Sequence, residues 1–165
     1  MLIFAAYKGT LELQSTHYAR LIAWLAYNRH RVILGKIQLQ KLLFIVYGLN
    51  LAKYHNTPFT DDKPKVWPFG PVFPKTYKRY QPEMIELSSD EKLAFLNAAN
   101  ALRITVDVVD RFYDRSASQL TSWSHKDGSP WRRGFIEGNY KWNSPINDEW
   151  IEEFFNLENW EAGLR

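Results

Sequence analysis

The groups whose types could support catalysis or metal binding are four histidines, His17, His30, His55 and His125, and one mixed run, Ser122-Trp123-Ser124-His125-Lys126-Asp127. A hydroxyl, an imidazole and a carboxylate in one run suggest nucleophilic hydrolysis. A triad, however, needs a nucleophile-to-base and a base-to-orienter hydrogen bond at once, and neighbours on a helix point in different directions. His125 therefore reads as a cap or pin for the turn before Pro130, with Asp127 and Gly128 forming that turn. The histidines make no His-x-x-x-His pair and no nearby carboxylates complete a ligand set, so no metal is expected. Phosphate-binding loops, nucleophile elbows and dinucleotide fingerprints are absent from the sequence. The chain has no cysteine, which removes disulfides, thiolate zinc sites and a thiol nucleophile together. The expectation is a protein without cofactor or enzymatic activity, in a reducing compartment, the cytoplasm.

The elements that must position any site follow from composition and periodicity. With 165 residues, 45% of them hydrophobic, the chain is long enough for one domain with a real core. Seven Trp, nine Tyr and ten Phe give that core, or an interface, unusually large rings. No stretch approaches the roughly 20 apolar residues of a membrane span. The spacing of Tyr18, Leu21, Ile22 and Leu25 predicts a helix over 17–29, capped by Ser15 or Thr16. A second, over 36–55, is apolar on nearly all sides and should be central, with Gly48 marking close approach by another element. From Pro58 to Pro82, six prolines predict an ordered extended segment. In it, 63–67 forms an edge strand, Phe69-Gly70-Pro71 a tight turn with Gly70 extended before proline, and Pro74 a helix start. Ser88 and Glu91 form a capping box for a helix running to about 114, kinked near 104–106. Ser116 with Gln119, Ser129 before Pro130, and Asn147 before Asp148 and Glu149 open three more, the last burying Trp150, Ile151, Phe154 and Phe155. The fold class is mainly α, or α+β at most. It is a bundle of six to seven helices around the central one, with a small hairpin or edge strand at 58–73. Residues 1–15 are an N-terminal extension to which the sequence assigns no structure, and 16–160 form a single domain.

Charge is distributed unevenly: residues 1–30 carry +2, 31–80 carry +7 and 81–165 carry −6. The basic half can steer an acidic partner. Arg31, Lys36, Lys41, Lys53, Lys65, Lys75, Lys78 and Arg79, with Tyr54, Tyr77 and Tyr80 interleaved, are the groups that could meet nucleic acid. That signal is weak, because the acidic half repels the same phosphate backbone and 36–47 is too apolar to read a groove.

Three stretches in series carry a resemblance: Ile37-Gln38-Leu39-Gln40-Lys41-Leu42-Leu43-Phe44; Val66-Trp67-Pro68-Phe69-Gly70-Pro71-Val72-Phe73-Pro74 with Tyr77; and Leu120-Thr121-Ser122-Trp123-Ser124-His125 with Pro130-Trp131. Together, over roughly residues 16–155, they resemble the Panacea domain, a family that includes SocA-like and phage-associated GepA-like proteins. The family's Leu-Thr-His is split here by Ser122-Trp123-Ser124. The resemblance implies an antitoxin that neutralises a cognate toxin, encoded by an adjacent gene, by direct binding. One kind of member instead delivers its toxin to a cellular protease. It implies no enzyme activity. Leu39, Gln40, Lys41, Leu42, Leu43, Leu120, His125, Pro130 and Trp131 are its motif positions. Trp67, Phe69, Gly70, Pro71, Val72, Lys75, Tyr77 and Lys78 lie on a proline-stiffened segment whose pre-ordered rings suit an interface, so they are the candidate toxin-binding residues. The alternative is that this turn simply packs on the 36–55 helix. A nucleic-acid-binding regulator is the rival function, and salt separates the two: phosphate contacts weaken steeply with salt, aromatic anchoring does not.

Overall fold

The computed structural model describes residues 11–83 and 85–165; residues 1–10 of the N-terminal extension lie outside them. Eight helices and one two-stranded hairpin make up the described residues. In chain order these are α1 (Ser15–His30), α2 (Lys36–Tyr54), β1 (Lys65–Trp67), β2 (Gly70–Val72), α3 (Pro74–Arg79), α4 (Ser89–Asn97), α5 (Ala99–Phe112), α6 (Ala117–Ser124), α7 (Pro130–Glu137) and α8 (Asp148–Phe155). The molecule is mainly helical, as its periodicity requires. One more helix is present than expected because the 88–114 stripe breaks at Ala98 (φ −105°, ψ 52°), not near 104–106.

The α2 helix is the centre. It packs against α1, α5, α6, α8 and β2, and Leu39, Leu42, Leu43, Ile45, Val46 and Tyr47 are fully buried. Wrapping on so many sides is what an all-round apolar helix demands. The α8 helix is held against it by the Tyr47 hydroxyl, which donates to Asp148 Oδ1 (2.8 Å), and by the Phe155 ring lying on Gly48. A Cβ at Gly48 would overlap that ring. Gly48→Ala should therefore cost about 1–3 kcal/mol by overpacking, although alanine is the better helix former. A urea midpoint that rises in this variant would show that α8 does not lie where described.

The caps read from sequence are mostly in place. Ser88 accepts from Glu91 N (3.1 Å), Ser116 from Gln119 N (3.0 Å), Ser129 from Arg132 N (3.1 Å) and Asn147 from Glu149 N (2.7 Å). The start of α1 differs: Gln14 is the N-cap, and Ser15 is already helical. The Ser15 backbone N–H and hydroxyl both donate to Asp61 (2.8 Å each), so a carboxylate distant in sequence satisfies this end. Its neighbour Asp62 accepts from Lys75 N (3.3 Å) and Thr76 N (3.0 Å) at the start of α3. Burial would raise the Asp61 carboxyl, but the Ser15 donors and Lys75 outweigh it and hold it below the usual range; for Asp62 burial wins and its pKa is raised. Trp150 is only half-buried, with the Arg133 guanidinium 4.4 Å from its ring centroid.

Candidate interaction face on the hairpin

The segment expected as an edge strand is a hairpin: β1 and β2 pair antiparallel with Val66 opposite Pro71 and Trp67 opposite Gly70, leaving Pro68 and Phe69 as the turn. The other edge of β1 is covered by 143–146, through Val66 N to Ser144 O (2.9 Å) and Asn143 N to Val66 O (3.0 Å). Gly70 is not extended in the ordinary sense; its φ is +104°. Proline restricts the residue before it, but glycine can meet that restriction in the mirror-image region closed to other residues. The reason is below the turn, where a Cβ at Gly70 would overlap Ser124 Oγ and lie 2.7 Å from Lys41 Cε.

The three motif stretches thus meet at one place, and mostly inside. The Gln40 side chain, fully buried, accepts from Phe73 N (2.7 Å) and donates to Thr76 Oγ1 (2.9 Å), clamping the chain between hairpin and α3 to α2. One residue on, the Lys41 ammonium is also wholly buried; it donates to the Pro71 carbonyl (3.2 Å), and no carboxylate pairs with it among the described residues. Burial brings its pKa down to about 7. The His125 ring stacks on Trp131 (3.8 Å, 13°), whose Nε1 donates to Trp67 O (2.7 Å). Its Nε2 is buried without a hydrogen-bond partner; burial, then Lys41 and Arg132, lower its pKa against the opposing Pro68 carbonyl. Leu39, Leu42, Leu43, Leu120 and Pro130 are buried around this seam, as are Gly70, Pro71 and Val72.

The Ser122–Asp127 run does not converge. Ser122 is exposed, Ser124 Oγ donates to Thr121 O (2.8 Å), and among the described residues Asp127 reaches only Arg132, at 3.9 Å. The other histidines have local partners: His17 Nδ1 accepts from Gln14 N (2.8 Å), His30 meets Asp110 (2.7 Å) and His55 meets Glu152 (3.0 Å). Among the described residues no group of three His, Asp or Glu side chains could hold a metal ion. The basic-aromatic series 31–80 is not one stripe either, because Lys41 and Tyr80 are buried, the latter donating to Leu34 O (2.8 Å).

What faces outward is the other side of the hairpin. Phe69 is 55% exposed at its tip. Trp67 and Tyr77 are half-buried and meet edge-on (5.2 Å, 64°), Lys36 Nζ lies 4.7 Å from the Tyr77 centroid, and Lys78 is exposed. Lys75 is half-buried and paired with Asp61 (3.2 Å). A residue that the sequence reading missed completes the face: Trp142, 61% exposed, stacks on Trp67 (5.6 Å, 28°). Its signal was a tryptophan outside every apolar stripe, in the polar Asn139-Tyr140-Lys141-Trp142-Asn143-Ser144 stretch.

Fold and face together define a mainly helical domain whose hairpin is rooted in a buried polar seam and presents aromatic rings and cations outside. The family model described as antitoxin SocA-like, Panacea domain, matches residues 39–132, more than half of the chain and all three motif stretches except Ile37 and Gln38. The chain belongs to that family. No curated protein and no solved structure matches it. No helix of the described residues is long and apolar enough to cross a membrane.

Proposed function

We propose that this protein is an antitoxin that neutralises a cognate toxin, encoded by a neighbouring gene, by forming a non-covalent complex that masks the toxin's working surface. Family membership supports the antitoxin role. The observation that carries the binding mechanism is the exposed ring at the hairpin tip, Phe69, beside Trp67, Tyr77 and Lys78, on a turn rooted in α2 through Gln40 and Lys41. Rings held rigid before binding lose little conformational entropy on association, which is what makes aromatic anchors effective. Gly70, Pro71 and Val72 contribute by fixing the turn from beneath, Lys78 by attracting acidic surface, and Lys75 by its pair with Asp61 behind the turn. An interface near the common ~1,600 Å² suffices to occlude a small enzyme's active site.

The test is to express the adjacent gene alone and together with this chain. Growth should stop in the first case and resume in the second, with the two proteins co-purifying in fixed stoichiometry. A neighbour that is harmless alone, or a rescue without a complex, removes the proposal.

A further inference from the structure

We propose that the groove between Trp67, Tyr77 and Trp142 is the anchor pocket of this interface and takes one large apolar side chain from an acidic segment of the toxin; the inference rests on the antitoxin reading above. The groove has a volume of about 500 Å³, enough for such a side chain and its flanking backbone, and is walled mainly by these rings and Pro74. Trp142 is held out in water at a conformational cost. Within five residues Asn139, Tyr140 and Asn143 all have positive φ (51°, 32° and 66°). Asparagine tolerates that region and tyrosine does not, and such strain persists only where surrounding bonds enforce it. Tyr140 is held by its N–H donating to Phe135 O (2.8 Å) at the end of α7, and Asn143 by Trp67 Nε1 donating to its Oδ1 (3.0 Å) and by its own N–H donating to Val66 O (3.0 Å); the last two bonds tie the Trp142 loop to β1.

Charge selects the partner. No Asp or Glu lines the groove, and its rim residues Lys78 and Arg79 have no ion-pair partner among the described residues. Lys65 shares the outer face of β1 with Trp67, since alternate residues of a strand point the same way and Val66 between them is buried. A cationic rim around an apolar floor fits acidic residues flanking an apolar one. A nucleic-acid strand fits less well, because the face offers one pocket with a few cations at its rim and no track of successive rings and cations along which bases could stack in turn.

The experiment uses the full chain with the toxin encoded beside it, and compares wild type, Trp142→Ala and the Lys78→Glu/Arg79→Glu pair by growth rescue and by calorimetric titration. A 12-nucleotide single-stranded DNA serves as a second probe. Each variant's urea midpoint is taken first; both sites are exposed, so neither should shift. Trp142→Ala should weaken toxin binding about 30-fold or more, the loss expected of a hot-spot ring. The charge-reversal pair should weaken it about tenfold at low salt and less at high salt. Wild-type rescue with Trp142→Ala binding unchanged within twofold would place the interface elsewhere and leave the antitoxin reading intact. Wild type that neither binds nor rescues would sink both. Trp142-dependent capture of the oligonucleotide, with no toxin bound, would overturn the proposal in favour of nucleic acid.

Discussion

Replacing Lys41 by methionine should make the protein more stable at pH 7, by about 1–3 kcal/mol, and should abolish most of its stability change between pH 7 and 10. The lysine is fully buried with one hydrogen bond, and its pKa falls from 10.5 unfolded to about 7 folded. A depressed lysine pKa means the unfolded chain binds the extra proton throughout that window, so stability rises with pH from about 7 to 10.5 and the penalty is complete below 7. At pH 7 the shift corresponds to about 4 kcal/mol; the Pro71 carbonyl, left without its donor in the variant, returns about 1–3 of that. Tyr18 and Tyr80 have raised pKa values near 12 and so lower stability only above pH 10, while His17 and His125, lowered from 6.5, act only below that; Lys126, also lowered from 10.5 by burial, acts in the same window but equally in both proteins. Urea unfolding at pH 7, 8, 9 and 10 on both proteins isolates Lys41. Equal slopes in the two would show that the ammonium finds water or a counter-ion.

The second large effect is a loss. Gly70→Ala should destabilise by about 2–5 kcal/mol, because φ is +104° and the added methyl overlaps Ser124 Oγ and crowds Lys41 Cε. Ser124→Ala in the same chain removes one overlapping atom and should recover part of the steric loss but none of the backbone strain. The double-mutant cycle therefore separates the two terms. Phe69→Ala, one residue away and exposed, should stay within about 0.5 kcal/mol of wild type. An additive cycle would mean that the hairpin does not rest on α6.

Features written in short-range chemistry were legible before the structure. Ser88, Ser116, Ser129 and Asn147 each cap a helix with a partner two or three residues away, and the all-round apolar character of 36–54 required a central position. Features settled by distant partners were not. Ser15 looked like a cap but donates to Asp61, and the Ala98 break leaves the apolar stripe on both sides intact. Pro71 argued for an extended Gly70, while the deciding contacts come from Lys41 and Ser124. The candidate face was half visible: its motif rings were named, but most of the motif turned inward, and Trp142 joins only through the fold. Gln40 and Lys41 read as motif positions; their backbone clamping depends on where the hairpin lands.

Asp61 and Asp62 hold the first turns of two separate helices, α1 through Ser15 and α3 through Thr76. Two adjacent carboxylates therefore work as a clasp, and the amides at the heads of both helices should become exchangeable together when it opens. A displacement of the 61–62 backbone frees both beginnings at once, so the platform behind the hairpin is coupled through two consecutive residues.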